Sequence, residues 1–345
     1  MTASTSLSDP HAINRHTIVA AVLLVLGANA ACAEPIELKL SFFASEQTNI
    51  YAAGVKPFVD GVNADGKGLI EIKVYDDAAL GPLPEQPRLV HDGAADIAWI
   101  VPGQTPYRFP DNELLEMPGL FRDLREATQV YTNLVSANAL RGYQDFFVIG
   151  AYTGDPGIVH SRKPIGSLAA LAGQKIRANN PMEADALDRL GATPTVMPAS
   201  KIAGAISSGA IDGAVMAPAA LFDFGVASVA HNHYLLRGGA APIVLVMSRK
   251  KFDSLPKAAK DIVRKYSGER SAAAWIASYG ASESAMFHRI QTTPGDTVVR
   301  PSPADRIAAQ HVYRSLIESW AARSAHNREL LRRVDAELAI IRSDK

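Results

Sequence analysis

The chain has 345 residues, 48% of them hydrophobic, with 35 basic and 35 acidic side chains and so no formal net charge. Balanced charge weighs against nucleic acid, which needs clustered basic groups, and against electrostatic attachment to anionic lipid. The one cysteine leaves no disulfide within the chain, so stability has to come from buried apolar cores.

Residues 1–33 read as a secretory leader. Arg15 and His16 form a short basic start, and residues 17–26 are an apolar run, too short for the roughly 20 residues of a membrane-spanning helix. Ala31-Cys32-Ala33 makes a small-x-small cleavage site that leaves Glu34 first, with Ala28-Asn29-Ala30 as the alternative. An uncleaved anchor is the competing reading. Cys32 lacks the apolar residue three positions earlier that lipidation requires, since Asn29 stands there. Cleavage removes the only cysteine, which fits a bacterial periplasm where disulfides are allowed but unused. No direct membrane insertion of the mature chain is expected. What remains is about twice the usual domain size of about 150 residues, so two lobes are expected.

Residues 36–42 alternate apolar and polar side chains, the pattern of a strand with one buried face. Residues 50–63 have helical spacing, 70–75 alternate again, 82–92 form a helix opened by Gly81-Pro82, and 96–101 are a short apolar strand of a sheet covered on both faces. This alternation predicts a parallel α/β sheet. Residues 103–118 are rich in proline and irregular, 124–137 are helical, and 146–152 and 158–160 are strands, the latter close to a crossing between lobes. Residues 173–180 form a short strand carrying one fixed cation, Arg177, and a helix follows over 182–190. A strand at 193–197, a helix at 200–208 and a strand at 213–216 complete the second lobe, and 241–248 lead back to the first. Residues 256–291 and 305–341 read as long helices, the first amphipathic. The expected division is 34–154 with 243–300 as the first lobe, 155–242 as the second, and 301–345 as a C-terminal helical segment packed on both.

Arg177 is where chemistry attaches. A guanidinium grips a carboxylate through two parallel hydrogen bonds, so the candidate ligand is a small acid. The competing reading is a strand arginine paired with a neighbouring Asp or Glu. Other signals dissolve. The glycines of Gly166 … Gly173-Gln174-Lys175 are too far apart for a phosphate loop, and Ile176 stands where Ser or Thr is needed. His231-Asn232-His233 has no accompanying ligands for a metal, and there is no Gly-x-Ser-x-Gly, no cysteine nucleophile in the mature chain and no compact acidic pair. No cofactor, metal or enzymatic reaction is expected; Asp155 and Asp223 are the candidates if an acid or base were required.

Four ordered stretches resemble the solute-binding proteins of TRAP (tripartite ATP-independent periplasmic) transporters, the DctP-type family. They are Leu80-Gly81 with Gly93-Ala94-Ala95-Asp96-Ile97; Pro118-Gly119-Leu120-Phe121; Lys163-Pro164-Ile165 with Leu171-Ala172-Gly173-Gln174-Lys175-Ile176-Arg177; and Gly191-Ala192-Thr193-Pro194 with Ala205-Ile206-Ser207-Ser208-Gly209-Ala210-Ile211-Asp212-Gly213. The order and spacing hold from about residue 36 to the end. The resemblance implies a two-lobed periplasmic binding-protein fold of type II-like form, with mixed sheets flanked by helices and long C-terminal helices. It implies capture of a small carboxylate ligand and delivery to TRAP transporter membrane subunits, without chemistry.

The resemblance puts the carboxylate-binding arginine on Arg177 and a polar ligand contact on Asn180, which reads equally as a helix cap. It brings Trp99 to the cleft, as a stacking surface or as core, and Phe43, as cleft wall or core cap. Met216 stands where many relatives carry Asn, facing ligand or merely packing. The segment around Tyr152–Pro156 lacks the second arginine of some sugar-acid binders, and Trp99, Val101, Val215 and Met216 make the wall more apolar than usual. The expected ligand is therefore an apolar or aromatic monocarboxylate, not a polyhydroxylated sugar acid or a dicarboxylate. A sensor of the same fold without a transporter partner is the alternative.

Overall fold

The computed structural model of the chain describes residues 1–3 and 34–343. Residues 4–33 of the expected leader lie outside the described residues. The fold is that of the unit Pro35–Lys345.

The strands of this unit are β1 Ile36–Ser41, β2 Ile70–Tyr75, β3 Ile97–Ile100, β4 Phe146–Thr153, β5 Ile158–Ser161, β6 Lys175–Ala178, β7 Thr193–Val196, β8 Gly213–Met216, β9 Asn232–Tyr234, β10 Pro242–Ser248 and β11 Thr297–Val299. One sheet has the order β2-β1-β3-β10-β4, the other β11-β9-β5-β8-β6-β7. The parallel pairing expected from the strand-helix alternation holds for β2-β1-β3. β10 then runs antiparallel to both β3 and β4, which makes the sheet mixed. The chain leaves the first sheet after β4, builds the second, and returns through β10. β11 pairs with β9 in the second sheet, although the sequence division gave residues 243–300 to the first lobe. Three residues with no strong periodicity carry no local mark of which sheet edge they will join.

The family-like stretches are fastened to one another. Asp212 meets Arg162 at 2.9 Å and Lys163 at 2.8 Å, and accepts the Lys175 amide at 3.1 Å. Gly213 follows because a Cβ there would overlap the His160 carbonyl across the sheet. In the first lobe Asp96 accepts the Lys39 amide at 2.9 Å and faces Lys251 at 3.2 Å, joining β1 to the start of the helix after β10.

Both long helical stretches break. Gly268, at φ +65°, separates Lys257–Lys265 from Glu269–Thr292, and its amide donates to the Ile149 carbonyl at 2.8 Å. The second stretch divides into Pro303–Ala322 and Ala325–Ser343, the latter opened by Ser324 Oγ, which accepts the Asn327 amide at 3.0 Å. Helical periodicity runs through such breaks, so their apolar pattern alone does not reveal them. No helix among the described residues is long and apolar enough to cross a membrane.

The first helical segment begins with a wide turn of π type over Tyr51–Val55 and continues as Lys56–Asp65. Gly54 lies on that turn, and a Cβ there would overlap the Trp99 ring. Gly54→Ala is expected to destabilise the fold by about 1–3 kcal/mol through overpacking, read in denaturant unfolding. Gly204→Ala is the control: its Cβ direction is open, and Ala there is neutral or mildly stabilising because it favours the helix.

Candidate functional site

A cleft of about 820 Å³ is walled by residues of both sheets. Phe43, Trp99, Arg177, Asn180 and Met216, all five residues singled out in the sequence, line it, together with Val101 and Val215. The segments that cross between sheets contribute Asp155 and Ala241.

Arg177 projects from β6, buried to 3% exposure. Its Nε donates to the Met197 carbonyl at 2.9 Å, Nη1 to the Val215 carbonyl at 3.2 Å, and Nη2 to Asn179 Oδ1 at 2.9 Å. A guanidinium has five N–H donors, so one remains on each terminal nitrogen. That is the complement of a carboxylate's two oxygens. No Asp or Glu among the described residues forms an ion pair with Arg177, which removes the structural-pair reading. Burial lowers its pKa to about 10, with Glu183 acting in the opposite sense, so it stays a cation at neutral pH.

Glu183 also lines the cleft, from the helix Pro181–Arg189. Asn179 joins it to Arg177: its side chain receives Nη2, and its amide donates to Glu183 Oε2 at 2.7 Å. Burial raises the Glu183 pKa to about 7, against the amides of Asn179 and Gly239 and the Arg177 charge, which lower it. Glu116 is pushed well above the ordinary carboxylate range by burial and by the charges of Glu183 and Glu113. The region behind the arginine therefore holds protons readily. The sign for stability follows from linkage. Relative to an ordinary value of 4.5, a pKa raised to about 7 leaves stability intact below about 4.5 and erodes it as pH rises through about 7. Glu183→Gln should accordingly gain on the wild type in unfolding midpoint across that window and hold a constant lead above it.

Asn180 is a helix cap: its Oδ1 accepts the Glu183 amide at 2.8 Å while the residue still borders the cleft. Trp99 serves both as core and as wall. It is fully buried among Phe42, Tyr152 and Trp275, with ring centroids 5.9, 5.7 and 5.8 Å away. Its indole N–H is buried without a protein partner. Phe43 is half-buried and stacks on Phe224 with centroids 6.4 Å apart. Met216 packs in the second-lobe core, at 6% exposure, while lining the cleft. Asp155 and Asp223 are engaged: Asp155 Oδ1 accepts the Leu124 amide at 3.0 Å, and Asp223 Oδ1 accepts from Asn49.

Sequence reasoning missed Asn179, Glu183, Gln104, Phe224 and Tyr279 as cleft residues. For Glu183 the signal was weak: it sits one turn after Asn180, but Asp185 and Asp188 follow it in the same helix and nothing local singles it out. The others are placed by tertiary contacts. Two of those contacts tie lobe to lobe. Asn49, at the start of the first helical segment, donates its amide and Nδ2 to Asp223 Oδ1 at 2.9 and 2.6 Å. Gln104 Nε2 donates to the Asn179 carbonyl at 2.7 Å.

Two sheets linked by crossing segments, with a cleft between them and a half-satisfied buried cation, define a ligand-binding protein of the periplasmic binding-protein type. The model of bacterial extracellular solute-binding protein family 7, DctP, matches residues 40–324, and the chain belongs to this family, the solute-binding proteins of TRAP transporters. It is similar to a marine metagenome TRAP solute-binding protein specific for aromatic acid ligands, solved with 3-hydroxybenzoate. The identity is 28% and the TM-score 0.79, covering 89% of this chain and 99% of that one. It is also similar to a TRAP solute-binding protein from Rhodoferax ferrireducens solved with copurified benzoate, at 25% identity and TM-score 0.74, covering 88% and 98% of the two chains. Among curated relatives, the 2,3-diketo-L-gulonate-binding periplasmic protein of Escherichia coli is 27% identical over 62% of this chain and 66% of its own length.

Proposed function

We propose that this protein captures a small apolar or aromatic monocarboxylate in the periplasm and delivers it to TRAP-type membrane subunits by lobe closure. The observation that carries the reading is the pair of unspent N–H groups on Arg177, facing a cleft whose wall includes Trp99, Val101, Val215 and Met216 beside a few polar groups. One carboxylate fits the cation; the ring or branched remainder fits the wall. No second cation among the described residues lines the cleft, which disfavours a dicarboxylate. The solved relative described as specific for aromatic acids supports the same class. The lobes are residues 34–154 with 243 to about 296, and 155–242 with the β11 strand; the C-terminal helices brace them. Calorimetric titration with benzoate, 3-hydroxybenzoate, mandelate, succinate and galacturonate is the test. Tightest binding among the first three is expected; tightest binding of succinate or galacturonate would overturn the ligand class.

Closure gives a kinetic expectation. Asp223 receives two N–H groups from Asn49 across the cleft, and hydrogen bonds to a charged group contribute about 1.5–3 kcal/mol. Asp223→Ala should speed ligand release by roughly ten- to a hundredfold while leaving the association rate nearly unchanged. Asn49→Ala added to it should cost little more, as stopped-flow release kinetics would show.

A further inference from the structure

A second concave surface shares no lining residue with the acid cleft and is a groove open to solvent, spanning about 1110 Å³ with the open space at its mouth. Arg122, Arg237, Arg300 and Arg306 line it, and no Asp or Glu among the described residues does. The chain as a whole is balanced, so this concentration of charge is local. Separate segments bring the four together. The Leu235 amide donates to the Val299 carbonyl at 2.9 Å, which lays the segment of Arg237 beside the one leading to Arg300. The Arg237 guanidinium donates to the Arg122 carbonyl. Arg306 Nη1 donates to the Pro301 carbonyl at 2.7 Å. All four side chains belong to exposed residues.

The neighbouring acids lie outside the groove and hold other partners as well. Glu126 approaches Arg122 only at 4.0 Å and is gripped by Arg342 at 3.0 and 2.8 Å. Asp305 accepts Tyr234 Oη at 3.0 Å and the Ser302 amide at 3.3 Å. Asp155 and Glu283 lie in the adjoining cavity that Arg237 and Arg300 also border, and they accept the Leu124 and Ala219 amides. Arg300 has no hydrogen-bond or ion-pair partner among the described residues. Like charges gathered in a concavity whose own lining holds no acid repel one another, and low-dielectric walls focus their field outward. Such an arrangement is relieved by an anion.

We propose that this groove is a second binding site, for a small soluble anion of two or more charges, of the phosphate or polycarboxylate class. Guanidinium forks match the oxygens of both groups. Arg122 precedes the first-lobe helix Leu124–Ser136, while Arg237 and Arg300 follow strands of the second sheet, so the anion joins segments of both lobes and stabilises their arrangement.

The test uses inorganic pyrophosphate as probe on the mature chain, followed by thermal unfolding at fixed ionic strength. A saturable rise in Tm of several degrees at millimolar pyrophosphate is expected, with none from sodium chloride at matched ionic strength. The rise should persist in Arg177→Ala, which disables the acid cleft, and vanish in the Arg300→Ala, Arg306→Ala double variant, whose circular dichroism should match the wild type. Vesicles rich in anionic lipid are the comparison arm. The proposal is overturned by the absence of a saturable rise, by a rise lost in Arg177→Ala, by a rise retained in the double variant, or by binding to vesicles without any response to free pyrophosphate.

Discussion

Arg177→Ala is expected to weaken binding of an aromatic monocarboxylate by roughly thirty- to five-thousandfold, the equivalent of about 2–5 kcal/mol for losing one partner of a desolvated charge pair. The magnitude rests on burial. At 3% exposure the arginine has little access to water, so the acid's charge has no substitute partner once the guanidinium is gone. Arg177→Lys separates charge from geometry. A lysine keeps the cation but not the fork, and it cannot reach the Met197, Val215 and Asn179 acceptors together. Its affinity should fall between wild type and Ala. Titration calorimetry decides: an unchanged Kd in Arg177→Ala, with the variant folded, would mean that the carboxylate sits elsewhere.

Trp99→Ala should give the largest loss of stability, about 3–5 kcal/mol, as for other fully buried large aromatics. The ring fills the space between Gly54, Tyr152 and Trp275, and rigid β3 at its base leaves little room for collapse. The unfolding midpoint should drop by roughly ten degrees. Because the same ring forms cleft wall, the variant should also bind its acid more weakly. Trp99→Phe tests the division: it keeps an aromatic face toward Tyr152 and should recover most of the stability. Scanning calorimetry of the two variants beside their binding isotherms reads both effects; an affinity untouched in Trp99→Ala would assign the residue to core alone.

Much of the architecture was legible because it is written locally. Alternation over residues 36–42 and 70–75 marks strands whose one face is buried, and the observed β1 and β2 follow it closely. Arg177 stood out through the family-like stretch that ends on it, because from the strand alone a paired arginine reads as well as a ligand anchor; the structure places it in the cleft without an acidic partner among the described residues. Asn180 was ambiguous for a physical reason: the same side-chain oxygen that reaches a ligand also caps a helix opened by proline, and the structure shows the cap. Gly268 breaks its helix through a backbone angle that hydropathy does not record. The Asn49–Asp223 and Gln104–Asn179 contacts bridge residues far apart in the chain. Nothing local distinguishes those side chains from other surface amides and acids, so only the closed fold reveals them.

β10 stands between β3 and β4, and it is made after nearly all of the second lobe. As the polypeptide emerges from the ribosome, β3 and β4 have no common neighbour until Ser248 has appeared, and their ladder groups stay open. The chain is thereby held back from folding piecemeal. Such late completion, with pairings distant in sequence, makes the first sheet slow to form. A permuted chain beginning at Pro242 would carry its keystone strand first, and β3 and β4 would find their common neighbour already made.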